Sequence, residues 1–263
     1  MDWKTKYGSY ALITGASGGL GAEFAKQLAQ KGMNLILVAR RKDKLQTVAD
    51  SLAKNYKVQV QIIEADLTTA GTPERIQKEI QQKGWDVGLL VNNAGFGTYG
   101  YFDELPLDTE INMVDLNIRV PLALTGLFLP KMVKQKKGGI IFLGSVGSYQ
   151  PTPFFANYSA TKAWNLLFAE ALYGEVKHKG VDVICLTPGY TKTEFQAVAG
   201  NKEQKPLAGW SEPSDVVARC LKYLGKKPST IPGFMNWFLA WSIRFTPRKM
   251  AISTAYQLLK PKG

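Results

Sequence analysis

The sequence predicts an α/β fold, with a single doubly wound parallel sheet flanked by helices on both faces. Short apolar runs alternate with longer helical patterns along most of the chain, and this strand–helix order is typical of parallel sheets. The apolar runs are nearly continuous, as expected for strands that are covered on both faces. A glycine-rich turn follows the first strand and precedes the first helix, where such folds bind phosphate groups.

Each predicted element follows from its residue pattern. Strands are predicted where short runs of Val, Ile and Leu occur, and helices where apolar residues recur three or four positions apart. The predicted strands are residues 10–14, 33–39, 58–64, 88–92, 139–143 and 181–186. The predicted helices are residues 19–31, 42–54, 73–83, segments within 106–136, and 157–179. The tail from about residue 211 is predicted to add helices without further clear strands.

The 263 residues are predicted to form one domain, because no linker, repeat or low-complexity segment interrupts the pattern. Hydrophobic residues make up 45% of the chain, which is enough for a substantial core. Cys185 and Cys220 are the only cysteines, so we expect no disulfide framework, a reducing compartment and a cytoplasmic protein.

Neither a signal peptide nor a membrane-spanning helix is expected. The first four residues, Met1 to Lys4, include no apolar stretch, and no run of about 18 apolar residues occurs. The single histidine, His178, lies between lysines at the end of a predicted helix. Because no Cys/His cluster is present, no metal site is predicted.

The chain carries a net charge of +12, with a pI of about 9.5. Such a charge is consistent with a well-solvated surface or with an anionic partner, such as nucleic acid, anionic lipid or a phosphorylated ligand. No recognised nucleic-acid motif accompanies it, so no nucleic-acid partner is expected. No acidic residue follows Asp215, whereas the basic residues after it are Arg219, Lys222, Lys226, Lys227, Arg244, Arg248, Lys249, Lys260 and Lys262.

The glycine-rich turn reads Thr14-Gly15-Ala16-Ser17-Gly18-Gly19-Leu20-Gly21. Glycine permits a tight turn and a close approach of the backbone to a pyrophosphate, and the helix N-terminus that follows attracts the same anion. This context predicts a Rossmann-type dinucleotide site at Gly15, Ser17, Gly19, Leu20 and Gly21. The spacing G-x-x-x-G-x-G resembles that of the short-chain dehydrogenase/reductase (SDR) family.

The end of the second strand indicates which dinucleotide binds. NAD-binding folds carry an acidic residue there, but this strand ends in Ala39, followed by Arg40. A guanidinium can hold the 2′-phosphate of NADP by bidentate hydrogen bonds, and the hydroxyl of Ser17 can reach the same group. We therefore predict NADP(H) as the cofactor, with Arg40 as its phosphate ligand. The alternative is that Arg40 and Arg41 are solvated charges at a helix start.

Tyr158 and Lys162 form the pattern Y-x-x-x-K, which places both side chains on one helix face. The ammonium of Lys162 and a positive nicotinamide ring are predicted to lower the pKa of Tyr158 from about 10, so that its phenol can exchange a proton with substrate. This pattern resembles the SDR active site, in which the lysine also binds the nicotinamide ribose. The resemblance implies that Ser145 binds the substrate oxygen and that Asn117 holds a water linking Lys162 to solvent.

Further motifs extend the resemblance from about residue 10 to residue 193. The segments Asn92-Asn93-Ala94-Gly95 and Pro188-Gly189-Tyr190-Thr191-Lys192-Thr193 match family motifs beside the cofactor. The resemblance implies cofactor contacts at Asp66, Leu67, Asn93, Ala94, Gly95, Pro188, Gly189, Thr191 and Thr193, with Asp66 at the adenine edge and Leu67 beside the ring.

Together these motifs imply an NADP(H)-dependent oxidoreductase that transfers a hydride between nicotinamide and a carbonyl or alcohol carbon. The alternative is a non-catalytic NADP(H)-binding sensor on the same fold, which usually lacks the tyrosine or the lysine. On this basis residues 1–193 form the cofactor-binding and catalytic core, and residues 194–263 form a substrate lid and helical tail. Aromatic residues beside the motifs predict a hydrophobic substrate; they are Phe96, Tyr99, Phe154, Phe155, Tyr190 and Phe195.

A second aromatic set lies in the tail and falls on one face of a predicted helix. Its members are Phe234, Trp237, Phe238, Trp241 and Phe245. We predict that this face either closes over the substrate or joins subunits of a homodimer or homotetramer. The alternative is a peripheral membrane helix, with Arg244, Arg248 and Lys249 beside lipid phosphates.

Overall fold

A computed structural model describes residues 2–200 and 208–261 of the chain. The strands are β1 (Tyr10–Thr14), β2 (Asn34–Ala39), β3 (Val60–Glu64), β4 (Val87–Asn92), β5 (Gly138–Leu143), β6 (Val181–Leu186) and β7 (Ser229–Thr230). They form one seven-stranded sheet in the order β3-β2-β1-β4-β5-β6-β7. Every neighbouring pair is parallel, which confirms the predicted Rossmann-type architecture.

Helices connect the strands and cover both faces of the sheet. They are α1 (Trp3–Tyr7), α2 (Gly19–Gln30), α3 (Lys42–Tyr56), α4 (Thr72–Gln82), α5 (Leu107–Val114), α6 (Val120–Gln135), α7 (Ala156–Val176), α8 (Phe195–Val198), α9 (Pro213–Tyr223), α10 (Phe234–Ser242) and α11 (Arg248–Leu259). A π-helical turn, Asp115–Arg119, joins α5 to α6. Residues 201–207, within the predicted lid, lie outside the described residues.

Two apolar clusters separate the helices from the sheet. One packs α2, α3 and α9 against it through residues such as Phe24, Leu45 and Val216. The other packs α4, α6 and α7 against the opposite face through residues such as Ile76 and Leu124. Strands β1, β4 and β5 are buried along their whole length, because side chains on both of their faces meet helices.

Most predicted elements are present, with ends that differ by at most three residues. The prediction of no further strand in the tail is wrong, because Ser229 and Thr230 add β7 beside Cys185 and Leu186 of β6. Two residues are too short a run for an apolar pattern to reveal, and β7 carries no branched apolar side chain.

One stretch of the described residues, Leu107–Gln135, is long and apolar enough to cross a membrane by length and composition alone. The sequence predicts none, since no run of about 18 apolar residues occurs. In the structure, Val120, Leu124 and Phe128 of this stretch pack into the core. This packing is typical of a helix that covers a sheet.

The strand order places a ligand crevice at the carboxyl ends of the central strands. From β1 the chain proceeds outward to β2 and β3, and then returns to β4 on the other side of β1. The loops after β1 and β4 therefore diverge and leave a crevice at their carboxyl ends, where open α/β sheets bind ligands. The predicted motifs at Gly15, Asn93, Ser145 and Gly189 all follow the carboxyl ends of central strands.

Candidate active site

A cleft of about 380 Å³ opens at the carboxyl ends of the strands. It extends from the glycine turn to the predicted catalytic residues, so the two groups of motifs face one continuous space. The predicted residues that line it are Gly15, Gly19, Leu20, Asn93, Ala94, Gly95, Ser145, Tyr158, Lys162, Pro188, Gly189, Thr191 and Thr193. The volume is within the range of small-molecule and cofactor sites.

The glycine turn is held by close contacts with the loop after β4. Asn93 Nδ2 donates to the carbonyls of Thr14, at 2.8 Å, and Gly15, at 3.2 Å. A Cβ at Gly21 would lie 2.3 Å from the Gly15 oxygen, so only glycine fits there. A Cβ at Gly18 would meet only Arg41, at 3.6 Å. The turn is therefore packed on its inner side and accessible on the side where α2 begins, as anion binding requires.

Arg41, rather than the predicted Arg40, extends beside this turn. Its guanidinium donates to the hydroxyl of Ser17, at 3.2 Å from Nη2, and it lines the cleft. Nη1 of the same guanidinium pairs with Glu194 at 3.0 Å, and Lys44 pairs with the other oxygen of Glu194 at 2.9 Å. Two cations thus converge on one carboxylate next to Ser17, which is the charge arrangement that a phosphate group also favours.

The residues predicted for the adenine half lie outside the walls of the cleft. Arg40 is largely exposed and approaches Asp66, with 3.7 Å between Nη1 and Oδ2. Asp66 also accepts from the backbone and hydroxyl of Thr68, and these hydrogen bonds lower the pKa of its carboxyl. Leu67 is buried in the core, so its side chain is not presented to a ligand. The nucleotide contacts of Arg40, Asp66 and Leu67 stay predictions.

Tyr158 lies in the first turn of α7 and lines the cleft together with Ser145. Its ring packs against Phe155 and Phe195, with centroids 6.0 and 5.3 Å away. Burial among these groups raises the pKa of Tyr158 well above its ordinary value, although the nearby hydroxyl of Ser145 acts in the opposite direction. Lys162 is not among the groups that shift this pKa, so the lowering predicted from its ammonium is not seen without a bound nicotinamide.

Lys162 is buried one helical turn further along α7. Its Nζ lies 5.8 Å from the centre of the Tyr158 ring and donates to the carbonyl of Leu143 at 2.9 Å. No carboxylate pairs with it among the described residues. Burial without a counter-ion lowers the pKa of Lys162 to about 8.

Ser145 is fixed by a short helical turn that follows β5. Its hydroxyl accepts from the backbone of Gly147 at 3.2 Å, and its own N–H donates to the hydroxyl of Ser148 at 3.0 Å. That hydroxyl in turn donates to the carbonyl of Lys162 at 2.7 Å. Ser148 thus joins the loop of Ser145 to the helix of Lys162, a role that the sequence analysis missed.

Asn117 lies in the π-helical turn and is buried. Its amide donates to the carbonyl of Phe96 and to the hydroxyl of Thr161, both at 2.9 Å. Asn165 donates to the backbone carbonyl of Asn117 at 2.8 Å. Asn117 therefore ties the loop after β4 to the catalytic helix, while its predicted part in a proton relay stays a prediction.

The cleft has an apolar end beyond Tyr158. Of the predicted aromatic residues, four line it, namely Phe96, Phe155, Tyr190 and Phe195, together with Leu143, Val146 and Leu259. Tyr99 and Phe154 instead support the wall from behind. The backbone of Phe154 has a φ of 66°, which is rare for a side-chain-bearing residue, and its ring lies 5.1 Å from those of both Tyr101 and Tyr256.

The tail closes the cleft differently from the prediction. Leu259, at the end of α11, lines the cleft and accepts a hydrogen bond from the hydroxyl of Tyr99 through its backbone carbonyl. The aromatic face of α10 does not cover the cleft, because all five of its predicted members are exposed. The lid interpretation of that face is therefore wrong, and α11 supplies the cover instead.

A glycine-rich turn, two cations beside it and the residues Tyr158, Ser145 and Lys162 at the other end of one cleft are typical of a nucleotide-dependent oxidoreductase. The chain belongs to the short-chain dehydrogenase/reductase family, because the family model described as short chain dehydrogenase matches residues 9–204. This match covers β1 to β6, the glycine turn and every predicted catalytic residue.

Relatives and solved structures extend this result. The chain is 33% identical over 246 residues to a very-long-chain 3-oxoacyl-CoA reductase of Anas platyrhynchos, covering 91% of this chain and 76% of the relative. It is 38% identical over 190 residues to hydroxysteroid dehydrogenase-like protein 1 of Gallus gallus, covering 72% of this chain and only 57% of the relative. The human protein named inactive hydroxysteroid dehydrogenase-like protein 1 is 39% identical over 200 residues, covering 74% of this chain and 60% of the relative.

Two solved structures match most of the chain. A 7beta-hydroxysteroid dehydrogenase is similar with a TM-score of 0.88 at 26% identity, covering 97% of this chain and 99% of that one. A short-chain dehydrogenase from Sphingobium yanoikuyae in complex with NADPH has a TM-score of 0.80 at 29% identity, covering 90% of this chain and 93% of that one. The tail beyond residue 204 is therefore part of the fold shared with the first structure.

Proposed function

We propose that the protein is an NADP(H)-dependent reductase of ketones or aldehydes with apolar substituents. The observation that carries the proposal is that Tyr158, Ser145 and Lys162 line the same cleft as the glycine turn, with Lys162 Nζ 5.8 Å from the centre of the Tyr158 ring. Oxidation of the corresponding alcohol is the same reaction in reverse.

The residues present fit an NADP(H) molecule. The accessible side of Gly18 and Gly19 leaves backbone N–H groups for the pyrophosphate, and Arg41 with Ser17 offers donors to the 2′-phosphate. The loops at Asn93–Gly95 and Pro188–Thr193 flank the path from that end of the cleft to Tyr158. When bound, the cofactor supplies the hydride, and Lys162 holds its nicotinamide ribose.

The protonation state of Tyr158 favours its action as an acid. Because burial raises its pKa, the phenol keeps its proton at neutral pH and can donate it to a carbonyl oxygen. The hydroxyl of Ser145 reaches the same oxygen and stabilises the negative charge that develops there. Lys162 has a pKa of about 8, so it is mostly an ammonium at neutral pH and favours the tyrosinate that proton donation leaves.

The walls beyond Tyr158 support an apolar substrate. Phe96, Phe155, Phe195 and Leu259 supply most of this surface, and Thr152 is one of the few polar groups near it. Such a surface binds by removing apolar groups from water. The very-long-chain 3-oxoacyl and 7beta-hydroxysteroid groups after which two similar proteins are named are of this chemical kind.

A non-catalytic NADP(H)-binding protein is the second candidate, because two of the relatives are hydroxysteroid dehydrogenase-like proteins and one of these is named inactive. Both functions require the glycine turn, but only an enzyme requires the phenol of Tyr158. We favour the enzyme because Tyr158, Ser145 and Lys162 are all present in this chain and in mutual contact or close approach.

The deciding experiment combines a screen with one variant. NADPH oxidation is followed with ketones and aldehydes of increasing size and apolarity, and Tyr158→Phe is compared with the wild type on the best substrate. The variant is expected to bind NADPH with unchanged affinity and to lose about 10²–10⁴-fold in kcat, the usual contribution of acid–base catalysis. Full activity in this variant would refute the mechanism, and NADPH binding without turnover of any substrate would favour the second candidate.

We also propose a homodimer or homotetramer in a reducing compartment such as the cytoplasm. Apolar side chains on α5, α6 and α7 are exposed in the single chain, including Leu107, Leu122 and Leu167, and self-association would bury them. Both cysteines are buried and unpaired. Light scattering tests the oligomer, and thiol titration of the unfolded protein tests the redox state.

A further inference from the structure

Helix α10 has the reverse of the usual amphipathic arrangement. The residues that it buries are Asn236 and Ala240, one helical turn apart, whereas its aromatic residues point into solvent. Asn236 packs against the backbone of Gly189 and donates to the carbonyl of Pro232 at 3.0 Å. The side chains of Asn236 and Ala240 therefore attach the helix to the rest of the protein, and its apolar face stays exposed and available to a binding partner.

The exposed aromatic rings form a continuous row along α10 and the turn that follows. Phe234 is 76% exposed, Trp237 45%, Trp241 47% and Phe245 71%. Consecutive ring centroids in this row lie 5.9, 6.2 and 4.8 Å apart. Met235, Phe238 and Leu239 are exposed beside the row, and Met250 follows in α11. We call this set of residues the aromatic surface.

The chain segment that carries the aromatic surface is basic and contains no acidic residue. Arg244, Arg248 and Lys249 are exposed next to it in the chain, and no acidic residue follows Asp215. None of the ion pairs among residues 2–200 and 208–261 involves these three cations. A partner with an apolar interior and a negatively charged surface matches both properties.

We propose that the aromatic surface binds an anionic lipid bilayer. Tryptophan and phenylalanine rings enter the boundary between headgroups and acyl chains, and the three cations contact lipid phosphates. A second copy of the chain fits less well, because a symmetric contact would bring two sets of Arg244, Arg248 and Lys249 together without carboxylates from the same segment. The helix lies along the bilayer surface and does not cross it, since α10 has only nine residues.

The position of α10 gives the bilayer a direct relation to the cleft. Asn236 is the residue of α10 that touches Gly189, and Gly189 lines the cleft. The cleft is therefore separated from the aromatic surface by the thickness of one helix. Binding of the bilayer itself does not depend on catalysis and can be tested without any substrate.

The test is co-sedimentation of the full-length protein with vesicles of phosphatidylcholine alone and of phosphatidylcholine mixed with phosphatidylserine. We expect pelleting with the mixed vesicles that weakens at about 1 M salt, where the Debye length is about 3 Å. The double variant Trp237→Ser/Trp241→Ser is expected to lower the partition coefficient at least about ten-fold, because both half-exposed rings lose their burial in lipid. Arg248→Glu/Lys249→Glu is expected to abolish the preference for phosphatidylserine.

Matched control variants distinguish binding through the aromatic surface from nonspecific hydrophobic or electrostatic binding elsewhere on the protein. Phe102→Ser removes an exposed aromatic side chain outside the aromatic surface, and Lys83→Glu reverses an exposed charge after α4; neither is expected to change pelleting. Unchanged thermal unfolding verifies that each variant is folded. Wild-type protein that stays in the supernatant with mixed vesicles at low salt would overturn the proposal. So would a Trp237→Ser/Trp241→Ser variant that pellets like the wild type but no longer forms its oligomer, since the surface would then join subunits.

Discussion

Replacing Lys162 by methionine is expected to stabilise the folded protein, because the wild type keeps an ammonium buried without a counter-ion. A pKa lowered from 10.5 to about 8 corresponds to a cost of about 3 kcal/mol in the free energy of unfolding at pH 7. Methionine removes this cost but leaves the carbonyl of Leu143 without its donor, which costs about 1–2 kcal/mol. The net gain is about 1–2 kcal/mol.

The pH dependence identifies the cause of this gain. Below pH 8 the lysine is charged in both the folded and the unfolded state, so the folded protein bears the full cost of burying the charge. This cost decreases as pH rises from about 8 towards 10.5, because in that range only the unfolded chain holds the proton. Urea unfolding of the wild type and the variant without cofactor, at pH 7 and pH 9, measures the difference in their free energies of unfolding. The advantage of Lys162→Met should shrink by about 1 kcal/mol over that interval. A variant that is less stable than the wild type at pH 7, with no change up to pH 9, would refute the reasoning.

Four further variants test the cofactor end of the cleft. Arg41→Ala should raise the Kd for NADPH about ten-fold or more and leave the Kd for NADH unchanged, whereas Arg40→Ala should raise the Kd for NADPH less. Fluorescence titration with each cofactor compares the two variants. Equal effects of the two variants would argue against Arg41 as the ligand of the 2′-phosphate. Glu194→Gln should tighten NADPH binding several-fold, because its carboxylate no longer competes with the 2′-phosphate for Arg41, and calorimetry with NADPH and NADH should detect a gain for NADPH alone. Ala39→Asp should shift the ratio of the two affinities towards NADH, and an unchanged ratio would contradict the assigned role of this strand end.

The sheet was predictable because its signals are local. Most strands are short apolar runs, and β1, β4, β5 and β6 are each followed by a motif that contains glycine. Since parallel strands end at the same edge, the motifs had to meet there whatever the details of packing. The positions of Ser145, Tyr158 and Lys162 in one cleft follow from this geometry.

The structure differs from the expectations drawn from the sequence where the outcome depends on side-chain orientation and burial. The period of an aromatic row identifies residues on one helix face, but it does not determine whether that face turns inward, and in α10 the contact of Asn236 with Gly189 turns it outward. Arg40 and Arg41 are adjacent, so a small difference in where the loop turns decides which guanidinium reaches Ser17. The pKa of Tyr158 depends on burial, which a two-residue pattern cannot reveal.

The close contact of Gly189 with Asn236 has a consequence for how family motifs should be interpreted. A Cβ at Gly189 would lie 2.6 Å from the amide of Asn236, so this glycine is required by a neighbouring side chain even when no nucleotide is bound. The same holds for Gly21 against the Gly15 carbonyl. A descendant of this chain that had lost its chemistry would still be selected to keep both glycines merely to fold. The glycine motifs that identify the family most readily are therefore weak evidence of activity. In a chain that had lost its activity, we expect Tyr158, Ser145 and Lys162 to change before these glycines.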